Sequence, residues 1–105
     1  MKNHLQKREE TLTVMMPTEV DHYFVNSIRE EVDRKIQTEE VQMLAFDFQK
    51  TEFMDSSGIG LLMGRYKLMR ALGGKVQILY ANERIRKILI LSGIYKIIPM
   101  EGQEL

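Results

Sequence analysis

The sequence of 105 residues contains no cysteine. This absence excludes a disulfide framework, a thiolate nucleophile and a zinc site built on cysteine. A surplus of charge is absent as well, because 15 lysine and arginine residues balance 15 aspartate and glutamate residues. Without a net positive field to attract phosphate backbones or anionic lipid, we expect neither nucleic-acid binding nor membrane binding.

Long apolar runs are also missing. No stretch is long enough to cross a bilayer, and the polar residues 1–8 lack the apolar core of a signal peptide, so we expect a cytoplasmic protein. The two histidines, His4 and His22, are not spaced to complete a serine, base and acid set. We therefore expect no enzymatic activity and no cofactor.

The composition that is present is typical of a globular protein. Hydrophobic residues make up 44% of the chain and charged residues 29%. The length suits one hydrophobic core, which predicts a single domain over residues 1–105.

The first part of the chain changes from strand periodicity to helix periodicity. Residues 5–8 and the alternating residues 11–16 predict a hairpin across Glu9-Glu10, ending before Pro17. Asp21 is well placed to cap a following helix. One apolar stripe at helical spacing supports that helix: Phe24, Val25, Ile28, Val32 and Ile36.

The rest of the chain alternates strands with helices. Residues 41–48 form a predicted buried strand, and a polar loop follows it. The next predicted elements are a helix from Ser56 to the double glycine Gly73-Gly74 and a strand at 75–80. A helix capped by Asn82 and closed by Ser92-Gly93 comes next, and a last strand at 95–98 ends the pattern. The order ββαβαβαβ predicts an α/β fold with three helices and a mixed, mostly parallel sheet of about five strands.

The segment Asp55-Ser56-Ser57-Gly58 lies where a loop enters a helix. Aspartate and serine are preferred capping residues, so capping alone explains the segment. A helix N-terminus also accommodates a phosphate group, because free N–H groups and the positive end of the helix dipole face it. Ser57 is therefore a candidate for phosphorylation, and spacing alone does not choose between capping and modification.

Three glycines in the same helix need an explanation, since each costs about 1 kcal/mol relative to alanine. Gly58, Gly60 and Gly64 permit either close packing of the helix on the sheet or a flat surface that a partner backbone approaches. Gly58-Ile59-Gly60 is not a nucleotide-binding loop, because no Gly-Lys-Ser/Thr sequence follows it.

The apolar residues of this helix form two arcs on a helical wheel. The first is predicted to face the sheet and consists of Ile59, Leu62, Met63, Tyr66 and Met69. The second consists of Leu61, Leu68 and Leu72, beside two of the glycines and rimmed by Arg65 and Lys67. It is either a docking ridge or a face covered by a neighbouring helix.

Three aspartates, Asp21, Asp47 and Asp55, are predicted near the carboxyl edge of the sheet. Grouped carboxylates can hold Mg²⁺, as in a receiver domain that is phosphorylated on aspartate. The alternative is that Asp21 and Asp55 are helix caps and that Asp47 simply ends a strand.

The segments Thr51–Gly60 and Gly64–Lys67 are similar to the bacterial anti-sigma factor antagonists, the family of the STAS domain, and especially to its sporulation antagonists. The resemblance continues through residues 72–76 and 91–98, and more weakly from Asp21 back to the first strands. It covers nearly the whole chain.

The resemblance implies a partner-switching cycle. The unphosphorylated protein would bind an anti-sigma factor that is also an ATP-using serine kinase and so release a sigma factor. Phosphorylation of the second serine, Ser57, would switch the protein off, and a serine phosphatase would reset it. The implied partner-binding residues are Asp21, Asp55, Ser56, Ser57, Gly58, Gly60, Leu61 and Gly64. The alternatives are a STAS scaffold subunit of a larger assembly and a receiver-like protein phosphorylated at Asp47.

Two departures from the family pattern are visible. Thr18 stands where the family usually has glycine. The chain ends at residues 101–105, where many relatives continue into a final helix, so that helix is either dispensable here or its absence exposes part of the sheet. We expect the free protein to be a monomer.

Overall fold

The computed structural model describes residues 3–101, so the predicted chain end at 102–105 lies outside the described residues. Within that range there are seven strands: β1 Leu5–Arg8, β2 Thr11–Met15, β3 Glu19–Val20, β4 Met43–Asp47, β5 Phe53–Met54, β6 Lys75–Leu79 and β7 Met100–Glu101. The helices of the same range are α1 His22–Thr38, α2 Ser56–Ala71, α3 Glu83–Ser92 and a short 3-10 helix at Ile94–Lys96.

Five of the strands form the main sheet, in the order β1-β2-β4-β6-β7. The β1–β2 hairpin is antiparallel, and the other neighbouring strands are parallel. The predicted α/β fold, with three helices and a mixed, mostly parallel sheet of five strands, is confirmed. The centre of β4 is buried at Leu44, Ala45 and Phe46, because strands lie on both sides of it and helices cover the sheet.

Helix α1 has the predicted apolar stripe. Val25, Ile28, Val32 and Ile36 are buried, and Phe24 is half-buried. Asp21 caps the helix as predicted, and its side chain accepts a hydrogen bond from the Phe24 N–H at 3.0 Å. The apolar spacing and the cap together explain where this helix begins and which face it buries.

A second, two-stranded sheet was not predicted. β3 and β5 are parallel and pair Glu19 with Phe53 and Val20 with Met54. The sequence predicts a polar loop over residues 49–55. Strands of two residues carry no detectable periodicity, so this pairing has no signature in the sequence.

The last predicted strand, residues 95–98, is wrong. The segment begins with the 3-10 helix, and the final strand lies later, at Met100–Glu101. Ile94 and Ile98 are both buried, and the Ile98 N–H donates to the Ile94 carbonyl at 3.0 Å. Lys96, midway between them, is exposed, which fits a helical turn, whereas a strand with Ile94 and Ile98 buried would bury position 96 as well.

The two arcs predicted on α2 are not arranged as expected. The buried residues of the helix are Gly58, Leu61, Leu62 and Met69. Leu62 and Met69 belong to the first arc, and Leu61 belongs to the second. The packed face therefore lies between the arcs. Leu68 is half-buried and Leu72 is 55% exposed. α2 packs against α1, with Arg65 Nε 2.9 Å from Asp33 Oδ1, so a neighbouring helix covers part of the predicted ridge.

Among the helices of residues 3–101, none has both the length and the apolar composition of a membrane span.

Candidate functional site

The small β3–β5 sheet brings the starts of two helices together. Val20 and Met54 are paired, and the residue directly after each strand, Asp21 or Asp55, caps the helix that follows. The Asp55 N–H also donates to the Val20 carbonyl at 3.0 Å. Because the strands are parallel and in register, α1 and α2 begin side by side at one edge.

Ser57 lies in the first turn of α2 and is held by the capping aspartate. Asp55 Oδ1 accepts the backbone N–H of Ser57 at 2.9 Å and also the Ser57 hydroxyl. The Gly58 N–H donates to the Asp55 carbonyl at 3.0 Å. Ser57 is half-buried, whereas Ser56 is exposed. One carboxylate oxygen thus fixes both the helix start and the side chain of Ser57.

These contacts set the charge state of Asp55. The Ser57 hydroxyl lowers the pKa of the Asp55 carboxyl below its ordinary value of 3.8. The backbone N–H groups of Ser57 and Gly58 and the charge of His22 act in the same direction, while desolvation opposes them. Asp55 is therefore ionised at neutral pH, and its negative charge lies at the positive end of the α2 dipole.

The three glycines of α2 have two different roles. A Cβ added at Gly58 would lie 2.5 Å from Met54 Cγ and 3.0 Å from Val20 Cγ1, so this glycine lets the helix start pack closely on the β3–β5 sheet. A Cβ added at Gly60 or Gly64 would have no atom within 4 Å apart from those of the adjacent residues and of the helix's own backbone. Packing does not explain these two glycines, which leaves the predicted alternative of a flat outer surface.

The remaining predicted partner-binding residue, Leu61, is 1% exposed. Of the two alternatives for its ridge, a docking surface or a covered face, Leu61 therefore fits the covered face, because it lies on the packed side of α2. Ser56 and Gly60 are exposed, and Asp21, Asp55, Ser57 and Gly64 are half-buried. We call these six residues the switch face.

Two exposed aromatic residues near the switch face were missed. Tyr23 is 74% exposed in the first turn of α1, and Phe53 is 50% exposed on β5. Large exposed apolar side chains beside a candidate site are typical of protein interfaces. The signal available in the sequence was an aromatic residue within two positions of a predicted helix cap.

A buried threonine that holds the two strands in place was also missed. Thr51 is 0% exposed, and its hydroxyl donates to the Pro17 carbonyl at 2.7 Å. The Thr51 carbonyl accepts from Asn82 Nδ2 at 2.9 Å, at the start of α3. The Thr18 carbonyl accepts from the Glu52 N–H at 2.8 Å. These bonds connect the segments that enter β3, β5 and α3.

The structure does not bring the three predicted aspartates together as one group. Asp21 and Asp47 line the same surface groove, but Asp55 does not. Asp47 Oδ1 instead accepts the Gln49 N–H at 2.8 Å. Across residues 3–101 there is no cluster of three or more histidine, cysteine, aspartate or glutamate side chains suited to holding a metal ion.

Comparison with known proteins adds independent information. Residues 3–104 match the family described as "STAS domain". The "Anti-sigma F factor antagonist" of Paenibacillus polymyxa is 33% identical over 93 residues, which cover 89% of this chain and 80% of that protein.

Two solved structures have a similar fold. The anti-sigma factor antagonist SpoIIAA in its unphosphorylated form is 29% identical, with a TM-score of 0.84, over 93% of this chain and 86% of that one. The Bacillus cell fate determinant SpoIIAA in the phosphorylated form is 29% identical, with a TM-score of 0.76, over 93% of this chain and 89% of that one.

Proposed function

This chain belongs to the STAS domain family, and we propose that it is an anti-sigma factor antagonist that a serine kinase switches off by phosphorylating Ser57. The observation that carries the proposal is the position of Ser57, which lies in the first turn of α2 beside the start of α1 and is part of the switch face. Similarity to SpoIIAA, whose structure is known in unphosphorylated and phosphorylated forms, supports it.

In the unphosphorylated protein the switch face binds the anti-sigma factor. Gly60 and Gly64 leave open space along α2, so a partner backbone is able to approach the helix closely. Tyr23 and Phe53 supply apolar area on either side. Gly58 supports the surface from below, because it keeps the start of α2 close to β5.

Phosphorylation of Ser57 opposes this binding electrostatically. A phosphoserine carries about −1.5 to −2 charges at neutral pH. Here the charge is added beside the ionised carboxylate of Asp55, inside a surface that the partner would desolvate. A cost of about 4 kcal/mol is roughly a thousandfold in affinity, and a buried like-charge contact reaches that size. The helix N-terminus accommodates the phosphate, so the fold itself is retained.

The full cycle involves three further proteins. The anti-sigma factor is also the serine kinase and uses ATP, its capture releases a sigma factor, and a serine phosphatase removes the phosphate. The chain acts through binding and catalyses no reaction on another molecule. It works in the cytoplasm, where ATP and sigma factors are present, as a monomer that binds neither nucleic acid nor membrane.

One observation favours a second candidate, a STAS scaffold subunit. Leu91 is 81% exposed and Ile90 is 43% exposed on α3, on the surface of the chain. Exposed apolar pairs of this kind promote self-association. Size-exclusion chromatography separates the two candidates, because a switch protein elutes as a monomer and a scaffold as a larger assembly.

The deciding experiment is intact-mass analysis after incubation with the cognate anti-sigma factor kinase and Mg·ATP. We expect one phosphoryl group on the wild type and on Ser56→Ala, and none on Ser57→Ala. Ser56→Ala is the matched control because it removes the neighbouring hydroxyl. Transfer to Ser57→Ala, or no transfer to the wild type by a kinase active on another substrate, contradicts the proposed switch.

A further inference from the structure

The hydroxyl of Ser57, the group that the proposed kinase modifies, has a carboxylate as its hydrogen-bond partner. It donates to Asp55 Oδ1, the oxygen that also accepts the Ser57 N–H at 2.9 Å. The backbone of Asp55 is fixed on both sides, by its N–H bond to Val20 and by the bond its carbonyl accepts from Gly58, each 3.0 Å long. A general base must lie within hydrogen-bond reach of the proton it takes, and Asp55 meets that condition.

Asp55 is ionised at neutral pH, so its Oδ1 carries no proton. The Ser57 hydroxyl lowers the pKa of this carboxyl, which makes the carboxylate a weaker base, so its hydrogen bond to the hydroxyl and not its pKa makes it a candidate. His22, in the first turn of the neighbouring helix α1, acts in the same direction. A carboxylate is sufficient for this chemistry, since the aspartate of the protein kinase catalytic loop accepts a substrate hydroxyl proton in the same kind of reaction.

We propose that Asp55 is a general base for the phosphorylation of its own chain at Ser57. This inference rests on the proposed function, and it adds that the antagonist contributes a catalytic group to the reaction that inactivates it. The kinase then contributes the nucleoside triphosphate, its metal ion and the alignment.

The transfer is balanced in atoms and electrons. Ser57 Oγ forms a bond to the terminal phosphorus of ATP, and the bond from that phosphorus to the bridging oxygen breaks, leaving its electron pair on ADP. The proton of the hydroxyl moves to Asp55 Oδ1 and then to water. No oxidant or reductant is required.

The same contact affects the product. Once the phosphoryl group is on Ser57, a dianion replaces the hydroxyl that donated to Asp55. The two negative groups repel, so the phosphorylated side chain turns away from the carboxylate and towards the face that the partner covers. Asp55 thus favours transfer and also separation of the product.

The test uses Asp55→Asn in the full chain. Asparagine caps a helix as well as aspartate does, and its amide oxygen still accepts both bonds from Ser57, but it does not take up a proton at neutral pH. Single-turnover transfer is measured with saturating cognate kinase and Mg·ATP, and binding is measured separately with ADP-bound kinase. We expect transfer at saturating kinase to be about a hundredfold slower than for the wild type. Because Asp55 lies in the switch face, its dissociation constant is measured so that the kinase is kept saturating for both proteins.

The pH dependence distinguishes a base from a merely positioning residue. Phosphoryl transfer to Asp55→Asn lacks the carboxylate base and depends on hydroxide instead. Its rate should therefore rise by about tenfold per pH unit, while the rate of transfer to the wild type stays nearly constant. Asp47→Asn is the matched control, because Asp47 is also half-buried and accepts a backbone N–H, from Gln49. Its transfer rate should equal that of the wild type.

Three results overturn the inference. Transfer to Asp55→Asn at the wild-type rate assigns the base to the kinase. Slow transfer to Asp55→Asn, with a rate that does not rise with pH, assigns Asp55 a positioning role only. These two results overturn the role of Asp55 but leave the proposed switch at Ser57 intact. The third result is a wild type that gains no phosphoryl group, which contradicts both the proposed switch and this inference.

Discussion

The starts of α1 and α2 have the same kind of cap but differ in the residues directly after it. Each begins with an aspartate directly after a short strand, and each aspartate accepts an N–H from its own first turn. In α1 the next residues are the large His22 and Tyr23, whose rings lie 4.0 Å apart. In α2 they are the small Ser56, Ser57 and Gly58. A cap therefore sets where a helix begins, and the residues after it decide whether that start becomes a site.

The largest expected effect, on binding of the anti-sigma factor, comes from adding a negative charge at the start of α2 only. Ser57→Asp places a carboxylate beside Asp55 in the switch face, and we expect anti-sigma factor binding to weaken by about a hundredfold, or about 3 kcal/mol. Isothermal titration calorimetry measures the affinity, and circular dichroism should remain native.

The matched control for that change is Ser27→Asp, which adds the same charge to an exposed position of α1. Its affinity should stay near that of the wild type. Full-strength binding by Ser57→Asp would contradict the electrostatic account of the switch.

The next effect, on stability, comes from removing a hydrogen bond between the segments that place the starts of α1 and α2 side by side. Thr51→Val keeps the shape of the buried side chain but leaves the Pro17 carbonyl without the hydroxyl that donates to it at 2.7 Å. We expect the free energy of unfolding to fall by about 1–3 kcal/mol, measured by urea denaturation. Thr51→Ser retains the hydroxyl and should lose less. Equal losses for the two variants would show that the hydroxyl is not the cause.

Two glycines of α2 should respond in opposite directions to replacement by alanine, as measured by the free energy of unfolding. Gly58→Ala brings a Cβ to 2.5 Å from Met54 Cγ, and we expect a loss of about 1–2 kcal/mol from overpacking. Gly60→Ala meets open space and should gain up to about 1 kcal/mol of helix propensity.

Binding to the anti-sigma factor completes that test. Gly60→Ala adds a methyl group to the switch face, so its affinity should fall although its stability rises. An affinity unchanged by Gly60→Ala would place the partner elsewhere on the molecule.

The smallest effect concerns pH. The folded-state pKa of Asp55 is lowered, so its contribution to stability is present above about pH 4 and is lost as the pH falls below 3.8 towards the folded value. Because the Ser57 hydroxyl is the largest cause, Ser57→Ala should raise the pKa of Asp55 towards its ordinary value. Carbon-13 NMR titration of the carboxyl group measures both. An Asp55 pKa that is equal in wild type and Ser57→Ala would contradict this assignment.

Local features of the fold were predictable from the sequence. Asp21, Asp55 and Asn82 were assigned as caps, and each accepts a hydrogen bond from an N–H two or three residues later. Gly93 was assigned as a helix end and has a φ of 86°, which favours glycine. The segment after it was assigned wrongly, because a short apolar run does not distinguish a strand from a helical turn.

The sequence by itself determined the helix caps, the principal strands, the family and the candidate serine, because these depend on neighbouring residues or on a continuous motif. The tertiary structure alone decided that α1 and α2 begin side by side, that Gly58 is packed while Gly60 and Gly64 are open, and that Leu61 is covered. The physical reason is distance along the chain. A cap bond spans two or three residues, whereas the bond from Thr51 to Pro17 spans 34, and such contacts form only when the whole sheet assembles.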